Sequence, residues 1–134
     1  MRYLPDTNAW IHHLKYPNSP LTGKLLACAL DEVFLCDIVK AELFYGAYNS
    51  ANESKNLSVL ERLFGVYASL PFEGQSAKVF GDLRARLAQK GTLIGPLDLQ
   101  IASIAIVHNC VLITHNTREF SRIAGLQLVD WETS

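Results

Sequence analysis

Short apolar runs alternate along this chain with longer stretches in which apolar residues recur every three or four positions. The runs "RYLPD", "VFLC", "CVLIT" and "LQLVDW" have the length and density of buried strands. Pro5 supplies no amide hydrogen, so it belongs at the end of the first strand or at a bulge. "TNAWIHHL" continues from that strand as a helical turn or two, and "YPNSP" stops it. Leu21, Leu25, Leu26, Cys28, Ala29 and Leu30 suit a packed helix over 21–30, and Asp37 reads as the cap of a helix reaching about residue 48. A longer helix is expected over 53–70, with Leu57, Leu60, Leu63, Phe64 and Tyr67 at helical spacing, followed by an extended "LPFE". The next helix, over 75–90, places Ala77, Val79, Phe80, Leu83 and Leu87 on its core side. "GTLIGP" is a loop, and Pro96 suits the first turn of a helix running to His108. Strands and helices alternating in this way predict an α/β domain, 1–134 as a single unit, with a mainly parallel sheet covered on both faces.

Composition narrows this picture. With 134 residues and 49% apolar side chains, the chain can bury an ordinary core. No apolar run approaches the roughly 18 to 20 residues of a membrane span, and Met1 leads at once into a strand pattern instead of a secretion leader, so no membrane partner and a cytoplasmic location are expected. Cys28, Cys36 and Cys110 are an odd, widely spaced set inside apolar stretches and read as core thiols. Twelve basic and thirteen acidic side chains nearly balance, which excludes a protein that grips nucleic acid by charge alone. Lys78, Arg84, Arg86 and Lys90 gather in one stretch, and a solvated helix face is the simpler account of them.

Four acids stand apart from ordinary surface charge. Glu42 has Ile38, Val39, Tyr45 and Gly46 three and four positions away, so its carboxylate falls on an apolar helix face. An unpaired carboxylate taken out of water costs several kcal/mol or changes its protonation, so such a group usually has a partner. Asp98 is flanked on its face by Ile101, Ala102 and Ala105, although an acid in a first helical turn is also explained by the helix dipole. Asp6 ends a strand and could simply cap the helix after it. Glu119, in "THNTRE", is by default a solvated loop charge.

All four can nevertheless meet at one edge of a parallel sheet, where the carboxyl ends of strands collect chemistry. Carboxylates without an attendant Cys or His array suit hard divalent cations, Mg²⁺ or Mn²⁺. A pair of such ions can activate water and stabilise the leaving oxygen in phosphodiester cleavage. His12, His13, His108 and His115 show no metal-ligand spacing on one helix face, which argues against zinc.

At these residues the chain resembles the PIN-domain ribonucleases, and more narrowly the VapC-type toxins of bacterial toxin–antitoxin pairs. The resemblance rests on "LPDTNAWI" (4–11), "VKAELFYGA" (39–47), "GTLIGPLDLQIASIA" (91–105) and "LITHNTREFSRIAGLQLVDW" (112–131), which occur in family order and cover essentially the whole chain. It implies a PIN-like three-layer sandwich, a parallel sheet between helices, and Mg²⁺- or Mn²⁺-dependent endonucleolytic cleavage of RNA. It further implies that Asp6, Glu42 and Asp98 hold metal and orient water, with Glu119 as the fourth acid. Thr7 and Asn8 beside Asp6, and Thr114 and Asn116 near Glu119, would supply orienting hydrogen bonds. A homodimer and a small VapB-like antitoxin, whose tail covers the acidic site, are the implied partners. Phe44, Tyr45, Tyr48, Leu60, Phe64 and Tyr67 would suit such a groove or dimer face, with core packing the alternative for about half of them.

Two positions depart from the family pattern. Pro5 replaces an aliphatic strand residue, and His115 replaces an asparagine, which opens a change in local charge below neutral pH. Two rival functions remain. A Mg²⁺-dependent phosphoryl-transfer domain would want a second acid beside Asp6 and a late lysine, whereas Asn8 stands there and no lysine follows Lys90. A catalytically silent PIN-like module kept for protein binding would retain the acids without turnover. Nucleotide binding finds no support, since "GTLIGP" lacks phosphate-loop spacing.

Overall fold

Three strands meet edge to edge at the centre of the computed structural model, which describes residues 1–133. Strand β1 (Tyr3–Pro5) pairs with β4 (Val111–Ile113), and β4 pairs with β5 (Leu128–Val129). A second pair, β2 (Phe34–Cys36) and β3 (Ala68–Leu70), joins them through a single bridge from Val33 to Tyr3. The order across both sets is β3-β2-β1-β4-β5, and every pairing is parallel. Parallel neighbours need a crossover, and helices α1 (Thr7–Lys15), α2 (Pro20–Ala27), α3 (Asp37–Tyr48), α4 (Glu53–Phe64), α5 (Gln75–Gln89), α6 (Pro96–Val107) and α7 (Thr117–Phe120) fill the intervals between the strands.

The central strands are apolar without alternation because both of their faces are covered, whereas β3 at the edge exposes Ala68. Phe34, Leu35 and Cys36 are all buried in succession, as are Leu112 and Ile113. Helix α6 is the most enclosed element. Leu99, Ile101, Ala102, Ser103, Ile104 and Ala105 are buried, and the Ser103 hydroxyl satisfies itself by donating to the Leu99 carbonyl at 2.7 Å. Its small residues let it lie close to its neighbours, α3, α5 and β4. Among the described residues no helix is long and apolar enough to cross a membrane.

Pro5 sits at the end of β1, where a missing amide does least harm. The next amide, that of Asp6, donates to the Ile113 carbonyl at 2.9 Å and carries the ladder past the proline. The three cysteines are free, with Cys36 and Cys110 buried and Cys28 half-buried. Burial pushes the Cys36 thiol up to about 11, which makes it inert.

Several local expectations are corrected. Helix α4 stops at Phe64 instead of continuing to 70, because Gly65 closes it and the chain turns into β3. Tyr67 falls at helical spacing yet lies outside the helix, and its burial comes from stacking on Trp10 with ring centroids 5.2 Å apart. The strand is therefore Ala68–Leu70, which overlaps the expected "LPFE" only at Leu70. Helix α2 ends at Ala27 because Cys28 turns extended, and Leu26 and Leu30 face solvent. Cys36, not Asp37, occupies the cap position of α3, and Asp37 is its first residue. Ala77 is exposed on α5. On the same helix Lys78, Arg84, Arg86 and Lys90 face water, and Arg86 pairs with Asp82 at 3.0 Å in the usual one-turn geometry.

Candidate active site

The register of the sheet brings three chain segments to one edge. Pro5 is level with Ile113, and Ile113 with Val129, so the residues that follow each strand emerge side by side: Asp6 after β1, Thr114 and His115 after β4, and Asp130 after β5. This is the carboxyl edge, where open parallel sheets place their chemistry.

Asp6 is only 4% exposed. One of its oxygens accepts the Ala9 amide at 2.8 Å, so it does cap α1. Burial raises its pKa, and the charges of Glu132 and Glu42 add to the rise, while hydrogen bonds from Thr114 and the Ala9 amide work against it. A cap alone would be better placed in water. The rise points to a carboxylate held where its charge is disfavoured by its own surroundings.

Glu42 comes from the middle of α3 and is half-buried. Tyr45, one turn on, is 70% exposed, so Glu42 lies at the border of the apolar face and not within it. Its Oε1 accepts the Thr7 hydroxyl at 2.7 Å. Thr7 therefore orients Glu42 across the α1–α3 contact instead of serving Asp6. Asp98, in the first turn of α6, has its pKa pushed up to about 6, first by burial and then by the charges of Glu119, Asp6 and Glu42. Glu119 on α7 is held by the Asn116 side-chain amide at 2.9 Å, and the Asn116 backbone amide donates to the Thr114 hydroxyl at 3.0 Å.

The charges of Glu119, Asp6 and Glu42, from three other elements, thus all bear on Asp98, and that of Glu42 bears on Asp6 as well. Among the described residues no three of these four acids bring oxygens within 4.8 Å of one another.

Beside Asp6 opens a cavity of about 430 Å³, lined among others by Asn8, His12, His115, Asn116 and Glu132. Asn8 contributes to this wall. Three of the groups here were not among the residues singled out from sequence: His12, Asp130 and Glu132. Asp130 and Glu132 follow β5 just as Asp6 follows β1, so the strand-end rule that selects Asp6 applies equally to "VDWE". His115 departs from ordinary solvated behaviour too. Its hydrogen bond to Asp130, with the charges of Glu132 and Asp130, raises its pKa.

Comparison with known proteins gives a consistent picture. A family model described as "PIN domain" matches residues 3–126. Ribonuclease VapC2 of Rickettsia felis is 36% identical over 133 residues, covering 98% of this chain and 99% of the relative. The tRNA(fMet)-specific endonuclease VapC of Salmonella typhimurium is 34% identical over 131 residues, covering 98% of each. Among solved structures, VapBC2 from Rickettsia felis bound to a DNA fragment from their promoter superposes with a TM-score of 0.91 at 34% identity, covering 98% of this chain and 99% of the other. DNA-bound VapBC from Salmonella typhimurium gives a TM-score of 0.92 at 34% identity, covering 98% of both chains.

Proposed function

The chain belongs to the PIN-domain family, and from that premise we propose how it acts: as a metal-dependent endoribonuclease, the toxin of a toxin–antitoxin pair, with Asp6, Glu42, Asp98 and Glu119 at its centre. The observation that carries this is the shared electrostatics of those acids. Asp98 titrates near 6 because burial is reinforced by Glu119, Asp6 and Glu42 together, and a pool of negative charge from four elements is what a hard divalent cation relieves. Asp6, Glu42 and Asp98, with Glu119 in support, are the oxygen donors for Mg²⁺ or Mn²⁺. When bound, the ion supplies an acidified water and neutralises charge on the phosphate.

The protein's own part is positioning. The Ala9 amide and Thr114 hold Asp6, Thr7 holds Glu42, and Asn116 holds Glu119. Fixing these three acids through neighbours keeps their oxygens aimed before RNA arrives. No side-chain nucleophile is required, and Cys36, the thiol behind the sheet edge, is too buried and too weakly acidic to serve as one.

The test is direct. Purified protein incubated with an RNA pool should cut in Mg²⁺ or Mn²⁺, stop cutting in EDTA, and recover when the ion is restored. An absence of any metal-dependent product would favour the silent protein-binding module instead. A subtler variant probes the orienting bonds: Thr7→Val keeps the shape of Thr7 and removes its 2.7 Å bond to Glu42. Cleavage should fall about tenfold to a hundredfold, the usual cost of losing a group that aims a metal ligand. Unchanged cleavage at limiting metal would show that Glu42 does not depend on Thr7.

A groove of about 630 Å³ runs between α1, α3 and α4, lined by Ile11, Leu14, Leu43, Ala47 and Leu60 and reaching Glu42. The solved relatives are toxin–antitoxin complexes, and we assign this groove to a VapB-like antitoxin whose apolar residues fill it and whose cation meets the acids. Tyr67 is buried and Phe44 and Phe64 are partly so, which commits them to packing, while Leu60 contributes to the lining of the groove. Tyr45 and Tyr48 remain exposed on α3 and are available to a homodimer face. The proposed site of action is the cytoplasm, where the RNA substrate is.

A further inference from the structure

Outside the four acids, the side chains most closely gathered for metal binding are His115, Asp130 and Glu132. One ligating atom from each lies within 4.8 Å of the others, the one such group of three among the described residues. His115 Nδ1 is 3.0 Å from Asp130 Oδ2 and 4.0 Å from Glu132 Oε2. These lengths bracket the edge of a tetrahedral zinc site, about 3.3 to 3.5 Å for metal–ligand bonds near 2.0 to 2.2 Å. We propose that His115, Asp130 and Glu132 form a second metal site, for Zn²⁺ or a similar imidazole-preferring transition ion, on the rim of the carboxylate centre.

The geometry around the three favours this over a chance surface cluster. Asp130 and Glu132 are mostly buried, with side chains 19% and 16% exposed, and their backbone is tied down because the Glu132 amide donates to Asp130 Oδ1 at 2.9 Å. Trp131 between them packs on Tyr3 with centroids 4.8 Å apart, which fixes the direction in which both acids leave the strand. The remaining oxygen of Glu132, Oε1, lies 3.0 Å from His12 Nδ1. His12 thus orients the carboxylate from behind and leaves Oε2 free to face His115, the arrangement in which a ligating acid is itself held by a hydrogen bond. His115 is the exposed member, at 62%, and it opens to the cavity shared with Asp6. Three protein ligands with a side open to solvent match the pattern of zinc sites that keep a position for water or substrate.

The donor set separates this site from its neighbour. One imidazole with two carboxylates selects borderline transition ions, while the all-oxygen centre at Asp98 selects Mg²⁺ or Mn²⁺. A cation at the rim would also offset Glu132, whose charge bears on Asp6 more than that of Glu42 does. The site does not rest on the ribonuclease reading, and its test reads binding instead of cleavage.

The full chain is titrated calorimetrically with Zn²⁺ in excess Mg²⁺, with Co²⁺ as a visible-absorbing substitute. One equivalent should bind to the parental protein. His115→Asn and Glu132→Gln should each lose that event, His12→Phe should weaken it about tenfold, and Asp98→Asn should retain it. His115 lies at the surface, so the zinc-free melting temperature of His115→Asn should match the parent's and separate lost binding from lost folding. The proposal is overturned by an absence of binding to the parent, by binding that survives in His115→Asn, or by binding that disappears in Asp98→Asn. RNA cleavage in zinc-free Mn²⁺ is read separately, so failure of either assignment leaves the other standing.

Discussion

Replacing Asp98 with asparagine lowers RNA cleavage by at least about a hundredfold in Mg²⁺ and Mn²⁺ alike, and makes the metal-free protein more stable above pH 6. The first effect follows from removing one oxygen donor and one negative charge from the proposed ion site. The second follows from linkage. In the folded chain the Asp98 carboxyl titrates near 6, above the ordinary value of 3.8, because burial and three neighbouring acids disfavour its charge. The native state therefore keeps a proton that the unfolded chain releases between those two values, and stability falls as pH rises through that window. Asparagine is neutral at every pH and escapes the loss. Asp98 is half-buried, so solvent screening reduces the gain to about 1 kcal/mol. Urea unfolding in EDTA at pH 7.5 should show it, and the difference between the two proteins should shrink towards pH 4. An Asp98→Asn protein that still cuts RNA in response to metal would remove Asp98 from the site.

Trp10→Ala should cost about 3 to 5 kcal/mol, a large share of the roughly 5 to 15 kcal/mol that holds a domain of this kind together. Trp10 is fully buried on α1, with Tyr67 5.2 Å away on one side and His13 6.0 Å away on another. Its backbone amide donates to the Asp6 carbonyl at 3.2 Å, so the same turn that anchors the core also carries the catalytic acid. Trp10→Phe should behave differently. The Trp10 indole nitrogen is buried with no hydrogen-bond partner among the described residues, and an unmet donor costs about 1 to 3 kcal/mol. Phenylalanine gives that back while losing part of the ring contact, so the net change should stay within about 1 kcal/mol. The comparison is made by urea unfolding of both variants. Equal losses would mean that ring contact outweighs the orphaned donor.

Much of the architecture was legible because burial on both faces leaves a direct mark on sequence. Strands "VFLC" and "CVLIT" read correctly since almost every residue in them is apolar and buried, Thr114 just past β4 being the polar exception. Pro96 and the start of α6 were equally plain, because proline suits only the first turn. Helix ends were less plain where apolar spacing served two purposes. Tyr67 continues the period of α4 yet meets Trp10 from beyond the helix, and Leu26 and Leu30 are apolar and exposed. Periodicity reports which side chains are apolar and is silent on whether the backbone has already turned.

For the site, sequence by itself determined the chemistry of the donors: acids at a strand's end, on an apolar helix face and at a helix start, noticed for their combination more than for each alone. What only the tertiary structure decided is who stands beside whom. Parallel register sets Pro5, Ile113 and Val129 level, and so brings Asp6 to one edge with His115 and Asp130, which follow it by more than a hundred residues. It also turned Thr7 towards Glu42 and placed His12 and His115 on the two oxygens of one glutamate, although no spacing along a helix relates those histidines. The physical reason is that local composition dictates backbone preference within a few residues, whereas a shared electrostatic field depends on distances in space that strand pairing alone sets.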